Sequence, residues 1–154
     1  RMKLYPDVFR GYRAWKPVRQ PDGRLRLASL VMGGLVWAPG EWTHARAHVD
    51  PFTSSTHAAP EPGCNCGIHA LSGLDALFRQ YGFAIYVLGE VELAGTIARH
   101  GQGYRASRAR VSAIFTWDRP FLDAQRKERV RATARAMADI YGVPLRAEHE
   151  TALC

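Results

Sequence analysis

The segment 83–117 constrains the fold most, because it holds two long stretches of strand-forming residues around a short turn, the second of which alternates. The turn is His100-Gly101-Gln102-Gly103. Alternation of apolar and polar residues with a period of two is typical of strands that bury one face. The pattern therefore predicts a long β-hairpin, in whose second arm the alternate residues from Ala109 to Trp117 share one face.

Further strands are predicted before this hairpin. Residues 8–17 and 24–31 lie on either side of a Pro-Asp-Gly turn, and residues 43–49 alternate again. Residues 66–71 are ambiguous between a strand and the start of a helix, and we favour a short strand. The result is a curved antiparallel sheet of about six strands.

Two helices complete the predicted fold. A stripe of apolar residues at 74–81 predicts the first helix, with Ser72 and Asp75 as a capping pair and Gly82 at its end. The second helix is C-terminal and is expected at about 119–141, after Asp118. Residues 1–154 are therefore expected to form a single α+β domain.

The location of the protein is inferred from what the chain lacks. No stretch of the sequence is long and apolar enough for a membrane helix, and no apolar signal core follows the charged start. Three cysteines do not make a disulfide framework. The expected location is the cytoplasm, with no membrane partner.

Positive charge is concentrated in two distant segments. The chain has 21 basic and 14 acidic residues, and only Arg46 and Arg79 among the basic ones lie between Leu27 and Ala98. If the two segments meet, they form one basic face that attracts polyanions. The alternative is an ordinary solvated surface.

Aromatic residues accompany the arginines at two places, Gly11–Lys16 and Gly103–Arg110. Stacking rings and guanidinium groups together are typical of single-stranded nucleic acid binding. The alternative is that the rings belong to the core while the arginines extend beside them. The residues expected to contact nucleic acid or another anion are Tyr12, Arg13, Tyr104, Arg105, Arg108, Arg110, Lys127, Arg131 and Arg135.

A proline-rich loop holds two of the three cysteines one residue apart and close to histidines. Thiolates and imidazoles are the ligands that zinc prefers, which predicts a structural zinc site. The predicted ligands are His48, His57, Cys64 and Cys66. His44 is the alternative to His48, because residues four apart on a strand are too distant to share one ion. Simple packing of the two cysteines, or redox or nucleophilic chemistry, are the other interpretations.

Enzymatic interpretations find less support. Zinc deaminases need His-x-Glu and Cys-x-x-Cys, and both are missing here. The second hypothesis is a small enzyme or ligand receptor that binds an anion near His100, Tyr104 and Arg105. A third is a protein-interaction module, which would expose an apolar patch.

Three motifs resemble those of a family of small bacterial proteins without a known function. They are Gly11-Tyr12-Arg13-Ala14-Trp15, Cys64-Asn65-Cys66-Gly67-Ile68-His69-Ala70 and Gly103-Tyr104-Arg105-Ala106. The resemblance spans about residues 9–111. It implies a further cysteine near Ala47, which this chain lacks, so either the site loses a ligand there or His48 takes that role. It implies no activity, substrate or cofactor.

Overall fold

A mixed sheet of eight strands carries the fold, with helices packed on two sides. The computed structural model of the chain describes residues 2–30, 34–49, 52, 56–61, 64, 66–82 and 86–148, with side chains from residue 9 onward except at 48, 49 and 148. This confirms the predicted α+β class with two helices, although the strands outnumber the six expected.

The described residues form ten strands and two helices. The strands are Met2–Arg19 (β1), Leu25–Ala28 (β2), Val36–Trp37 (β3), Thr43–His44 (β4), His48–Val49 (β5), Thr56–His57 (β6), Ile68–Leu71 (β7), Val87–His100 (β8), Gly103–Trp117 (β9) and Leu145–Glu148 (β10). The helices are Leu74–Tyr81 (α1) and Ala124–Tyr141 (α2). Neither helix of the described residues has the length and apolar character to span a bilayer.

The hairpin β8–β9 is confirmed and forms the centre of the sheet. β1 pairs with the free side of β8, while β7, β4 and β10 pair in turn with the other side of β9. β7 also pairs with β1 through Leu71 and Tyr12, so the sheet curves back toward its first strand. β10 runs parallel to β9, so the prediction of a purely antiparallel sheet was wrong.

The two helices pack on opposite faces of this sheet. On the inner face, Met137 and Tyr141 of α2 pack with Trp15 and Val91. On the outer face, α1 packs against residues such as Phe115. The Tyr141 hydroxyl accepts from Leu27 N (2.8 Å) and donates to Trp37 O (2.5 Å). The C-terminal helix is therefore part of the core.

A β-bulge at Ser112 overturns the prediction that alternate residues from Ala109 to Trp117 share one face. Val91 lies opposite Val111 and Glu90 lies opposite Ala113, which leaves Ser112 as an extra residue in β9. A bulge of this kind inverts the alternation. Ala109 and Val111 accordingly pack on the inner face, whereas Ala113, Phe115 and Trp117 pack on the outer face.

Both helix starts differ from the prediction. α2 begins after Asp123, whose carboxylate accepts from Arg126 N, so the helix is five residues shorter than expected. Residues 119–122 instead form a turn, in which Leu122 N donates to Arg119 O. Ser72 does not cap α1, because its hydroxyl donates to Gln102 O and Gly73 is the capping residue. The predicted strand 43–49 is also interrupted, with β4 on β9 and β5 on β6.

Candidate metal centre

A hairpin and a loop outside the main sheet bring His57 to the two cysteines. β5 and β6 pair with each other, and the chain then runs through residues 58–66 into β7. Gly67 makes the entry into β7 with φ +108°, a conformation that favours glycine. A Cβ there would also lie 3.1 Å from Pro60 Cβ and 3.3 Å from Ala106 O. The loop therefore packs closely against β9.

The side chains of His57, Cys64 and Cys66 converge on one point. Their ligand atoms all lie within 4.8 Å of one another, and His57 Nε2 lies 3.4 Å from Cys66 Sγ. Tetrahedral zinc with sulfur at about 2.3 Å and nitrogen at about 2.05 Å separates those two ligands by about 3.6 Å. The histidine and Cys66 are thus already at the spacing that one zinc ion requires.

Glu61 orients the histidine for metal binding. Its carboxylate lies 2.8 Å from His57 Nδ1, on the side of the ring away from the cysteines. A proton on Nδ1 that is donated to this carboxylate leaves the Nε2 lone pair directed toward Cys66. Carboxylate–histidine pairs of this kind accompany metal-bound histidines. Glu61 was not predicted as a partner of His57, because a spacing of four residues brings side chains together in a helix and carries no such signal in an irregular loop.

The two thiols differ in exposure. Cys66 is buried and Cys64 is half-buried. Burial raises the pKa of the Cys66 thiol, and a hydrogen bond with Cys64 raises it further. A buried thiol therefore keeps its proton until a cation replaces it.

Arg105 forms hydrogen bonds with the loop that carries the two cysteines. Its guanidinium donates to Cys64 O and to Cys66 O, the latter at 3.0 Å. The pairing of β7 with β9 sets Arg105 opposite His69 and so next to the start of β7. Arg105, which the sequence predicts to contact nucleic acid, thus binds the carbonyl groups of both cysteines.

The fourth predicted ligand stays a prediction. The register of β5 and β6 places His48 directly opposite His57, while the His48 side chain lies outside the described residues. The alternative, His44, is exposed and pairs with Arg108 on β9. It does not belong to the cluster of ligands found among the described residues.

The three residues Tyr12, Arg13 and Tyr104 pack against the two cores. The Tyr12 ring lies 6.1 Å from that of Phe115, and Tyr104 packs against the inner core. Arg13 lies 4.8 Å above the Trp37 ring and donates to His69 O and Ser29 Oγ. Burial lowers the pKa of Arg13 to about 10.

Arg108 and Arg110 lie on the outer face around Trp42. Their guanidinium groups lie 5.2 and 4.5 Å from its ring. Arg110 also contacts Glu92 at 2.7 Å. Glu92 alternates with buried Val91 on β8, which places this group on the face opposite α2.

The three basic residues of α2 belong to a separate surface. Lys127 lies 3.5 Å from Asp118, and Arg135 lies 2.8 Å from Glu128. Arg131 is exposed. Because α2 covers the inner face, the structure does not bring the nine predicted residues onto one surface.

Only two of the three residues predicted to form an anion site near His100 lie together. Ser72, Arg99, His100 and Tyr104 line a cavity of about 330 Å³, but Arg105 turns toward the cysteines. The structure thus keeps two of its three predicted residues together.

A comparison of the chain with protein-family models, with curated proteins and with solved structures finds no match.

Proposed function

We propose that this protein is a zinc-binding module in which His57, Cys64 and Cys66 hold one ion. The observation that carries the proposal is the arrangement of His57, with Nδ1 on Glu61 and Nε2 facing Cys66 Sγ. Two thiolates and an imidazole form a soft donor set that suits zinc, whereas calcium and magnesium take oxygen ligands.

The position of the ligands supports a structural role. His57 ends β6 and Cys66 comes just before β7, so one ion joins the small β5–β6 hairpin to the main sheet. Structural zinc sites have four protein ligands. We assign the fourth to His48, which the backbone register sets opposite His57. Free thiols persist in a reducing compartment such as the cytoplasm, where they can bind a metal.

Elemental analysis of the protein purified after zinc loading tests this function. We expect one zinc per chain, and we expect Glu61→Gln to weaken zinc binding by about 10–100-fold through loss of the histidine's orientation. Glu41→Gln, an exposed acid outside the site, is the matched control. A zinc-loaded chain that retains no metal after gel filtration would refute the proposal.

The group around Trp42 supports a second candidate function, the binding of single-stranded nucleic acid. Two guanidinium groups over one ring offer phosphate contacts beside a stacking surface. Arg108 is exposed, while Glu92 already balances Arg110. The proposed contact surface is therefore smaller than the sequence predicts and comprises Trp42, Arg108 and Arg110.

Filter binding of a single-stranded oligonucleotide at low and high salt tests this surface. We expect Arg108→Gln with Arg110→Gln to flatten the salt dependence by about two phosphate contacts. The matched control is Arg131→Gln with Arg135→Gln on the opposite side of the sheet. Equal effects of the two pairs would contradict a site at Trp42.

A further inference from the structure

A cavity of about 440 Å³ lies far from the metal centre, between the first half of α2 and one end of the sheet. Val87, Val130 and Ala134 contribute apolar walls. This volume falls within the range of about 300–1,000 Å³ found for small-ligand pockets. The cavity is therefore large enough for the body of a small apolar molecule.

Three arginines line the same cavity, namely Arg119, Arg126 and Arg129. No acidic residue is found among the described residues that line it. Arg119 is 3% exposed, donates to Tyr86 O at 3.0 Å and lies 4.5 Å above the Trp117 ring. The wall of the cavity thus combines apolar surface with positive charge.

Burial of the charged Arg119 guanidinium in the wall of the cavity costs desolvation free energy. Burial lowers the pKa of its guanidinium to about 10, which still leaves it protonated at neutral pH. The buried guanidinium therefore adds positive charge to the wall of the cavity.

The two outer arginines have capacity for an anion. Arg126 lies 3.8 Å from Asp123, and both side chains are about two-thirds exposed, so this pair is weak. Arg129 forms no ion pair with any acid in the part of the chain that the structure describes. An anion at the mouth of the cavity would therefore meet little competition from acidic side chains for Arg126 and Arg129.

We propose that this cavity binds a small amphiphilic anion, whose apolar body lies against Val87 and Val130 and whose carboxylate or phosphate head is held by Arg126 and Arg129. The proposal does not depend on zinc. The head group gives specificity for charge, and the walls give specificity for an alkyl or aromatic body.

Isothermal titration calorimetry with octanoate, octyl phosphate and 1-octanol tests the site on the full chain. We expect saturable binding of one octanoate or octyl phosphate per chain, and binding of the uncharged alcohol at least about tenfold weaker. Arg129→Gln should weaken octanoate binding by about tenfold, because it removes a charged hydrogen bond from an exposed position. Arg135→Gln lies outside the cavity and should change nothing. Val130→Phe should reduce binding by filling the space.

Three results would overturn the proposal. The first is no saturable binding of either anion, and the second is equal affinity for octanoate and octanol. The third is an equal loss with Arg135→Gln, which would indicate unspecific attraction to the basic helix. Circular dichroism and zinc content of each variant separate these outcomes from misfolding and from failure of the metal site.

Discussion

Replacing Cys66 with alanine is expected to weaken zinc binding by at least about 100-fold. Structural zinc binding of about 10–16 kcal/mol divided over four ligands gives about 3 kcal/mol for each, which is a factor of about 100. Cys66 is 3% exposed and provides the sulfur at 3.4 Å from His57 Nε2. Alanine keeps the Cβ in the buried site and removes only the ligand atom.

Competition with a chromophoric chelator measures this loss, and a melting curve with and without zinc gives a second readout. Zinc at about 1,000 times the native Kd should stabilise the native chain by about 4 kcal/mol and the variant by no more than about 1.4 kcal/mol. Cys154→Ala, at the third cysteine of the sequence, is the matched control. Zinc affinity of Cys66→Ala within threefold of that of the native protein would contradict the assignment of ligands.

Replacing Arg13 with alanine is expected to destabilise the fold by about 2–4 kcal/mol. The change removes the stacking on Trp37, worth about 0.5–2 kcal/mol, and charged hydrogen bonds worth about 1.5–3 kcal/mol each. The cost of desolvating the guanidinium offsets part of this stabilisation. The same burial lowers the pKa of Arg13 to about 10. The lost hydrogen bonds are those to His69 O and Ser29 Oγ.

Urea unfolding of Arg13→Ala beside Arg108→Ala measures this difference. Arg108 is exposed, so its removal should change the free energy of unfolding by no more than about 0.5 kcal/mol. Equal effects of the two substitutions would show that Arg13 does not support the core. If Arg13→Ala were fully stable but lost nucleic acid binding, this would support the predicted contact of Arg13 with nucleic acid.

Much of the fold could be predicted from local pattern. The hairpin β8–β9 follows from alternation around the turn 100–103, and α1 follows from its apolar stripe before Gly82. The position of β10 could not be predicted, because four residues that pair in parallel with a distant strand leave only a weak local signal. The bulge at Ser112 has no such signal either, and it decides which side chains of β9 face α2.

In the candidate site, too, some residues could be predicted from the sequence and others could not. His57, Cys64 and Cys66 could be predicted from residue type and spacing, because few side chains bind zinc. Glu61 and Arg105 could not be given their roles in this way. The role of Glu61 depends on the path of an irregular loop, and that of Arg105 depends on the pairing of β7 with β9. Both act through contacts that only the fold creates.

The basic residues illustrate the limit of charge as a predictor. Their separation in sequence is visible, but the face on which each lies depends on strand register and on the packing of α2. The same residue type serves three purposes here. Arg13 packs with tryptophan, Arg105 binds loop carbonyl groups and Arg108 lies exposed beside Trp42.

X-ray absorption at the zinc K edge of the metal-loaded protein identifies the ligand atoms of the ion. Binding by Cys64, Cys66 and two histidines predicts a four-coordinate ion with two sulfur atoms at about 2.3 Å and nitrogen ligands at about 2.0–2.1 Å. Cys66→Ala should reduce the sulfur count to one if the variant is forced to take up metal. Nitrogen and oxygen ligands alone in the native protein would contradict zinc binding by the two cysteines.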